Sequence, residues 1–154
     1  LDSCRKDDSY LIFLGDGELK DEAKKKAVGN ENIIFCGNVT NVVDYLSIAD
    51  YYISASKSEG LPNSVLEAGS VGLYLILSDI PEHREIEYTL DNTNITFFEY
   101  NDSMRLTHIF NNCVAKNDMS NRMVIRNDFV NNFSSQKTSD KYAQLYRKVV
   151  EKRK

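Results

Sequence analysis

Five short apolar runs dominate the first hundred residues: Tyr10-Leu11-Ile12-Phe13-Leu14, Ile33-Ile34-Phe35-Cys36, Tyr51-Tyr52-Ile53-Ser54, Tyr74-Leu75-Ile76-Leu77 and Ile95-Thr96-Phe97-Phe98. A run of four or five apolar residues with no polar alternation is what a strand needs when both its faces are covered. Helical patterns separate the first four. Residues 18–28 put Leu19, Ala23 and Ala27 on one face, with Asp21/Lys25 and Glu22/Lys26 at i,i+4 and Gly29 as the stop. Asn41 is placed to cap a helix that turns Val42, Leu46 and Ala49 inward, and Pro62 opens a helix reaching about Val71. Strand, helix, strand with short links builds a parallel sheet covered on both faces. The spacing therefore predicts a Rossmann-like, doubly wound α/β domain.

An irregular stretch is expected before Ile95, and the remainder should be helical. Leu106, Ile109, Phe110, Cys113 and Val114 share one helix face, and Met119, Met123, Val130 and Phe133 roughly another. Tyr142, Leu145, Tyr146, Val149 and Val150 follow i, i+3, i+4, i+7, i+8 spacing. At 154 residues the chain is expected to be a single domain. Cys4, Cys36 and Cys113 are scattered, which excludes a disulfide framework or zinc ribbon and suits a reducing cytosol. A net charge of -4 offers no general attraction to nucleic acid or an anionic membrane, and no run approaches a membrane span. The opening Leu-Asp-Ser-Cys-Arg-Lys-Asp-Asp is not a signal peptide, lacks an initiator Met, and suggests a segment of a longer protein.

In an open parallel sheet, ligands sit outside the carboxyl ends of the strands. Three segments should meet there: Gly15-Asp16-Gly17, Gly37-Asn38-Val39-Thr40, and Ser54 through Pro62. The third runs on as Ser58-Glu59-Gly60-Leu61-Pro62-Asn63-Ser64-Val65-Leu66-Glu67-Ala68. With Pro62 at the helix start, the amides of Asn63, Ser64 and Val65 should face outward, where the positive dipole end favours phosphate. Glu67 lies about 6 Å along the axis from Asn63, at 1.5 Å per residue. A carboxylate there can accept from both hydroxyls of a ribose. Glu59 precedes the phosphate position, where the group on the distal phosphate would lie.

The Glu-x7-Glu spacing within E-G-L-P-N-S-V-L-E-A, after the strand end A-D-Y-Y-I-S-A-S, resembles the hallmark of family 4 ("group 1") retaining glycosyltransferases of the GT-B fold. F-L-G-D-G-E-L, N-I-I-F-C-G-N-V, G-L-Y-L-I-L-S-D-I-P-E-H-R-E and F-S-S-Q-K-T-S-D-K-Y-A-Q-L-Y resemble that family's other blocks, in order. The resemblance covers nearly the whole chain. It implies that residues 1–154 are one donor-binding domain, the C-terminal half of a two-domain enzyme. It implies that the parent moves a sugar from a nucleoside diphosphate to an acceptor hydroxyl with retention. The acceptor, a glycan or lipid-linked saccharide, would be held by the N-terminal domain.

By the same resemblance Glu59 holds the donor sugar and is the residue placed at the chemistry, and Glu67 holds the ribose. Gly60, Leu61, Pro62, Asn63, Ser64 and Val65 would meet sugar and diphosphate through their backbone. Gly15 and Gly17 would flank the phosphates, while Asn38 and Val39 line the base. No metal or other cofactor is implied. The family's basic pair should lie upstream, so Arg5 and Lys6 are not that pair, and Tyr74 stands where the family often has Pro. The implied location is cytoplasmic, with the full-length protein allowed a peripheral place at the inner membrane face. Two other readings stay open: a nucleotide-sugar epimerase on the same fold, and a non-catalytic α/β nucleotide-binding or interaction module. His83, between Glu82 and Arg84, is expected on the surface at a helix start, His108 on the polar side of its helix, and Cys36 in the core.

Overall fold

The computed structural model describes residues 9–91, 95–113 and 119–151. The expectations placed on Cys4, Arg5, Lys6, Val114 and the side chains of Cys113 and Met119 lie outside the described residues. The element order is β1 (Leu11–Leu14), α1 (Lys20–Lys26), β2 (Ile33–Gly37), α2 (Val42–Ile48), β3 (Tyr51–Ser54), α3 (Asn63–Ser70), β4 (Tyr74–Ser78), α4 (Pro81–Thr89), β5 (Ile95–Phe98), α5 (Ser103–Cys113), α6 (Met119–Phe133) and α7 (Ser135–Glu151). All five apolar runs form strands, and every pairing is parallel. The α/β fold expected from the alternation is the fold observed.

The sheet, however, comes in two pieces. Among the described residues β1 pairs only with β2, while β3, β4 and β5 form a second, three-stranded unit in that order. The second unit carries the core. Every residue of β4 is buried, and its alternate side chains feed two clusters. Leu75 and Leu77 pack with Val65 and Ala68 of α3, Ile86 of α4, and Ile125 and Phe129 of α6. Ile76 and Tyr74 face the other way, onto Phe98 and Ile109. Each fully buried Leu or Ile here contributes roughly 1.5–3 kcal/mol relative to exposure. Tyr74 bridges β4 to β5 through its hydroxyl, 2.6 Å from Thr96 Oγ1. By contrast α1 buries no side chain, and β1 is only half-covered.

Several local expectations need correction. The stretch before Ile95, expected to be irregular apart from a helix start at His83, contains α4, a nine-residue helix started by Pro81. It is too short to show a periodic pattern, and its burial rests on only His83 and Ile86. The inward face of α6 is Ile125 and Phe129, whereas Met123 and Val130 are exposed. The actual stripe steps from Arg122 to Ile125 to Phe129 to Phe133, and the polar residues within it masked it. Asn41 does precede α2, but its side-chain amide donates to Asp44 (2.9 Å) and caps no backbone amide. In α1 the Glu22–Lys26 pair forms at 2.8 Å, while Leu19 points to solvent. Cys36 is half-buried and belongs to neither core cluster. The apolar residues of α7 share a face as expected, yet none of them is buried.

Candidate functional site

Parallel pairing aligns the strands, so the loops after β1, β2 and β3 all leave from carboxyl ends. After β1 and β2 the backbone turns through left-handed glycines, Gly15 (φ 106°) and Gly37 (φ 68°). A side chain is strained there, and the turns bring the two loops together, with Gly15 N–H donating to Gly37 O at 2.7 Å. Asp16 folds over this junction. It accepts from Gly17 N–H at 2.9 Å and pairs with Lys20 Nζ at 2.6 Å. The Lys20 bond, then the Gly17 amide, hold the Asp16 carboxyl below the usual carboxylate range. Lys20 is a cation beside Gly37 that sequence reasoning missed. Asn38 is exposed and Val39 half-buried, at the mouth of the same turn.

The second group hangs from the three-stranded unit. The loop after β3 carries Glu59, half-buried, to a bond from Ser56 Oγ. Ser56 is itself held twice. Its hydroxyl accepts from the buried Ser54 at 3.2 Å, and its carbonyl accepts from Ser78 Oγ at 2.6 Å. Ser78, fully buried at the end of β4, is backed by His83, whose Nδ1 lies 2.8 Å from Ser78 O. A carbonyl only accepts, so Nδ1 carries the proton. His83 is therefore not a surface residue: it is 0% exposed, buried behind the loop that carries Glu59. His108, on α5, is exposed as expected.

Pro62 occupies the cap position, and α3 starts one residue later than expected, at Asn63. The helix start is tight. Asn63 N–H donates to Leu61 O at 2.8 Å, and Val65 N–H to Pro62 O at 3.0 Å. Of the three amides expected to face outward, Asn63 and Val65 are thus already engaged with the chain itself. Gly60 and Leu61 are exposed in the loop, Ser64 is exposed on the first turn, and Val65 is buried in the core. Glu67 is exposed one turn further on. Tyr52 of β3 ties this helix start down, its hydroxyl donating to Ser64 Oγ at 2.7 Å. Burial pushes the Tyr52 phenol up, and the negative charges of Glu59 and Glu67 push it in the same direction, against the Ser64 bond. Both carboxylates thus act on one phenol, a convergence no motif announced.

The expected site residues fall into two groups, one on each part of the sheet. Gly15, Gly17, Asn38 and Val39 belong to the β1–β2 unit, and Glu59 through Glu67 to the β3–β4–β5 unit. Among the described residues no three His, Cys, Asp or Glu side chains are grouped to hold a metal ion. Likewise, no helix among them is long and apolar enough to cross a membrane.

The sequence and the fold have known relatives. The family described as "Glycosyl transferases group 1" matches residues 2–114. The chain belongs to that family. As a group 1 glycosyltransferase sequence it is 29% identical over 153 residues to an Escherichia coli UDP-Gal:alpha-D-GlcNAc-diphosphoundecaprenol alpha-1,3-galactosyltransferase, covering 93% of this chain and 38% of the relative. It is 37% identical over 65 residues to the capsular polysaccharide biosynthesis glycosyltransferase CapH of Staphylococcus aureus, covering 42% of this chain and 18% of that protein. Its fold matches that of Anabaena HepE, solved in complex with UDP, at a TM-score of 0.79 with 16% identity, over 95% of this chain and 43% of HepE. TarM matches at 0.77 with 19% identity, over 94% of this chain and 30% of TarM. The group 1 chain described here spans well under half the length of these relatives.

Proposed function

We propose that this chain is the donor-binding domain of a glycosyltransferase that moves a sugar from a nucleoside diphosphate to an acceptor hydroxyl with retention. The observation that carries the reading is the placement of the two carboxylates, Glu59 held by Ser56 in the loop that leads into α3 and Glu67 exposed one turn along it. In this reading Glu67 accepts from the ribose hydroxyls and the diphosphate lies against the first turn of α3, where the helix dipole favours negative charge. Ser64, Gly60, Leu61, Pro62, Asn63 and Val65 shape that turn. Glu59, held by Ser56, meets the hydroxyls of the transferred sugar and positions its anomeric carbon. Gly15 and Gly17 approach the phosphates, and Asn38 and Val39 line the base.

Charge that develops on the departing diphosphate is met by preoriented dipoles rather than by mobile water, which is where such a site lowers a barrier. The acceptor, a glycan or lipid-linked saccharide, belongs to an N-terminal domain outside these residues. The reaction takes place in the cytoplasm, with the whole protein peripheral at the inner face of the membrane. Support comes from family membership, from relatives named for capsule and O-antigen synthesis, and from the UDP complex of a protein with this fold.

Ligand choice tests the reading. Titration calorimetry of the full-length protein with nucleoside diphosphates and the matching monophosphates should show a clear preference for a diphosphate. No preference for any nucleotide would favour an interaction module. Conversion of a nucleotide sugar to its epimer without transfer would favour the epimerase.

A further inference from the structure

We propose that Tyr52 is a positioning residue for the donor diphosphate: its hydroxyl fixes Ser64 so that the Ser64 hydroxyl hydrogen is given outward, to a phosphate oxygen. This role rests on the proposed placement of the diphosphate against the first turn of α3.

Two serines elsewhere spend their hydrogen on their own helix. Ser47 Oγ donates to Val43 O and Ser70 Oγ to Glu67 O, both at 2.7 Å, a common fate of a helical hydroxyl. Ser64 does the reverse. It accepts from the Tyr52 hydroxyl at 2.7 Å, and that is its one bond among the described residues. A hydroxyl has one hydrogen and two lone pairs. With Tyr52 on a lone pair, the hydrogen remains to be given away.

The same residue holds a second donor. In the first turn of α3 the amide of Asn63 donates to Leu61 O, and those of Val65 and Leu66 both donate to Pro62 O. Among the described residues the Ser64 amide has no such partner. Ser64 is exposed, so it offers solvent an amide hydrogen and a hydroxyl hydrogen together. An ionised diphosphate oxygen accepts such bonds and donates none, which makes it the matching ligand group.

Tyr52 is suited to hold that arrangement. It stands on β3 and packs against the core cluster around β4, so its ring is fixed by the fold before any ligand arrives. Burial pushes the phenol up, so Tyr52 keeps its proton and stays the donor. Without this bond the Ser64 hydroxyl can turn back onto a carbonyl, as those of Ser47 and Ser70 do.

Binding measurements on the full-length protein test the role. The probe is whichever of UDP, GDP, CDP, TDP and ADP the unaltered protein binds most tightly, beside its matching nucleoside. Tyr52→Phe keeps the ring and should weaken diphosphate binding at least ~5-fold, and Ser64→Ala at least ~10-fold. Nucleoside affinity should stay within about twofold in both variants. The double variant should bind the diphosphate as Ser64→Ala does, because Tyr52 acts only through Ser64. A loss shared equally by the nucleoside, or losses that multiply in the double variant, would overturn the proposal, since Tyr52 would then merely hold the helix in place. Unchanged diphosphate affinity in Tyr52→Phe would overturn it as well, while leaving the donor-site reading intact. No preference for a diphosphate in the unaltered protein would remove that reading, and the role of Tyr52 with it.

Discussion

Glu59 is the residue whose surroundings are most specified. Its carboxylate takes a bond from Ser56, and Ser56 is fixed through Ser54 and through Ser78, which His83 backs. Removing the Ser56 hydroxyl leaves the loop backbone tied to Ser78 but frees the carboxylate. Ser56→Ala should therefore lower turnover of the nucleotide sugar in the full-length enzyme by roughly 10-fold or more through lost positioning. Affinity for the bare nucleoside diphosphate should stay within about twofold, a difference worth under 0.5 kcal/mol. Steady-state kinetics beside calorimetry checks both halves, and loss of nucleotide affinity in Ser56→Ala would place Ser56 elsewhere in the mechanism. Glu59 and Glu67 could be picked out by spacing alone, since both sit on one loop and the helix it feeds. Ser78 and His83 could not. They reach Ser56 only because β3 and β4 lie side by side, 22 residues apart in sequence at the Ser56–Ser78 bond. His83 stands among charged neighbours, which suggested solvent; its Nδ1 bond to Ser78 O is what suits it to burial.

At the scale of elements, α3 is pressed onto α6. A methyl group added at Gly69 would sit 2.3 Å from the Phe129 ring, which is itself buried in the core. Gly72, just beyond α3, combines φ +87° with a similar 2.3 Å approach to the Arg122 carbonyl, and neither can relax easily. Gly69→Ala should cost about 1–3 kcal/mol by overpacking, and Gly72→Ala at least as much through added backbone strain. Denaturant unfolding measures both, and an unchanged midpoint in either would contradict the packing described. Beside β4, Arg84 grips Asp79 with two bonds (2.7 and 2.6 Å), reaches Glu87, and lies over the Phe97 ring. The Arg84 bonds hold Asp79 below its ordinary value of 3.8. A carboxyl lowered in the folded state adds stability above its unfolded pKa and loses it as pH falls through the folded one. The wild-type advantage over Asp79→Asn should thus be present near neutrality and shrink as the pH drops below 3.8. It should also be modest, because the pair is about a third exposed, with side-chain exposures of 34% and 30%. Melting curves across pH check it, and an advantage that grows in acid would contradict it. The strands were readable because a buried parallel strand has to be a continuous apolar run. The extent of α4 beyond its start and the face of α6 were not, because one is short and the other hides its apolar stripe among Asn, Arg and Asp.

Over the whole molecule, the parallel α/β architecture followed from the order of runs, but the division of the sheet did not. Nothing in a sequence of strands and helices says which edges will meet; the hydrogen-bond ladders do. In the proposed donor site the glycine turns and Lys20 would lie on one arm and the two carboxylates on the other. If the acceptor is held by an N-terminal domain, as proposed, the 154 residues should transfer no sugar when isolated. Detectable transfer by the 154 residues alone, from any nucleotide sugar, would contradict the division of labour proposed here. The role of Glu67 is open to the most direct measurement: calorimetric titration of a nucleoside diphosphate into the full-length protein, its Glu67→Ala variant and its Glu59→Gln variant. Loss of the charged bonds to the ribose should weaken binding in Glu67→Ala by about 1–3 kcal/mol, while Glu59→Gln binds the bare nucleotide almost as well as the parent. Unchanged affinity in Glu67→Ala, or equal losses in the two variants, would contradict the assignment of ribose to Glu67 and sugar to Glu59.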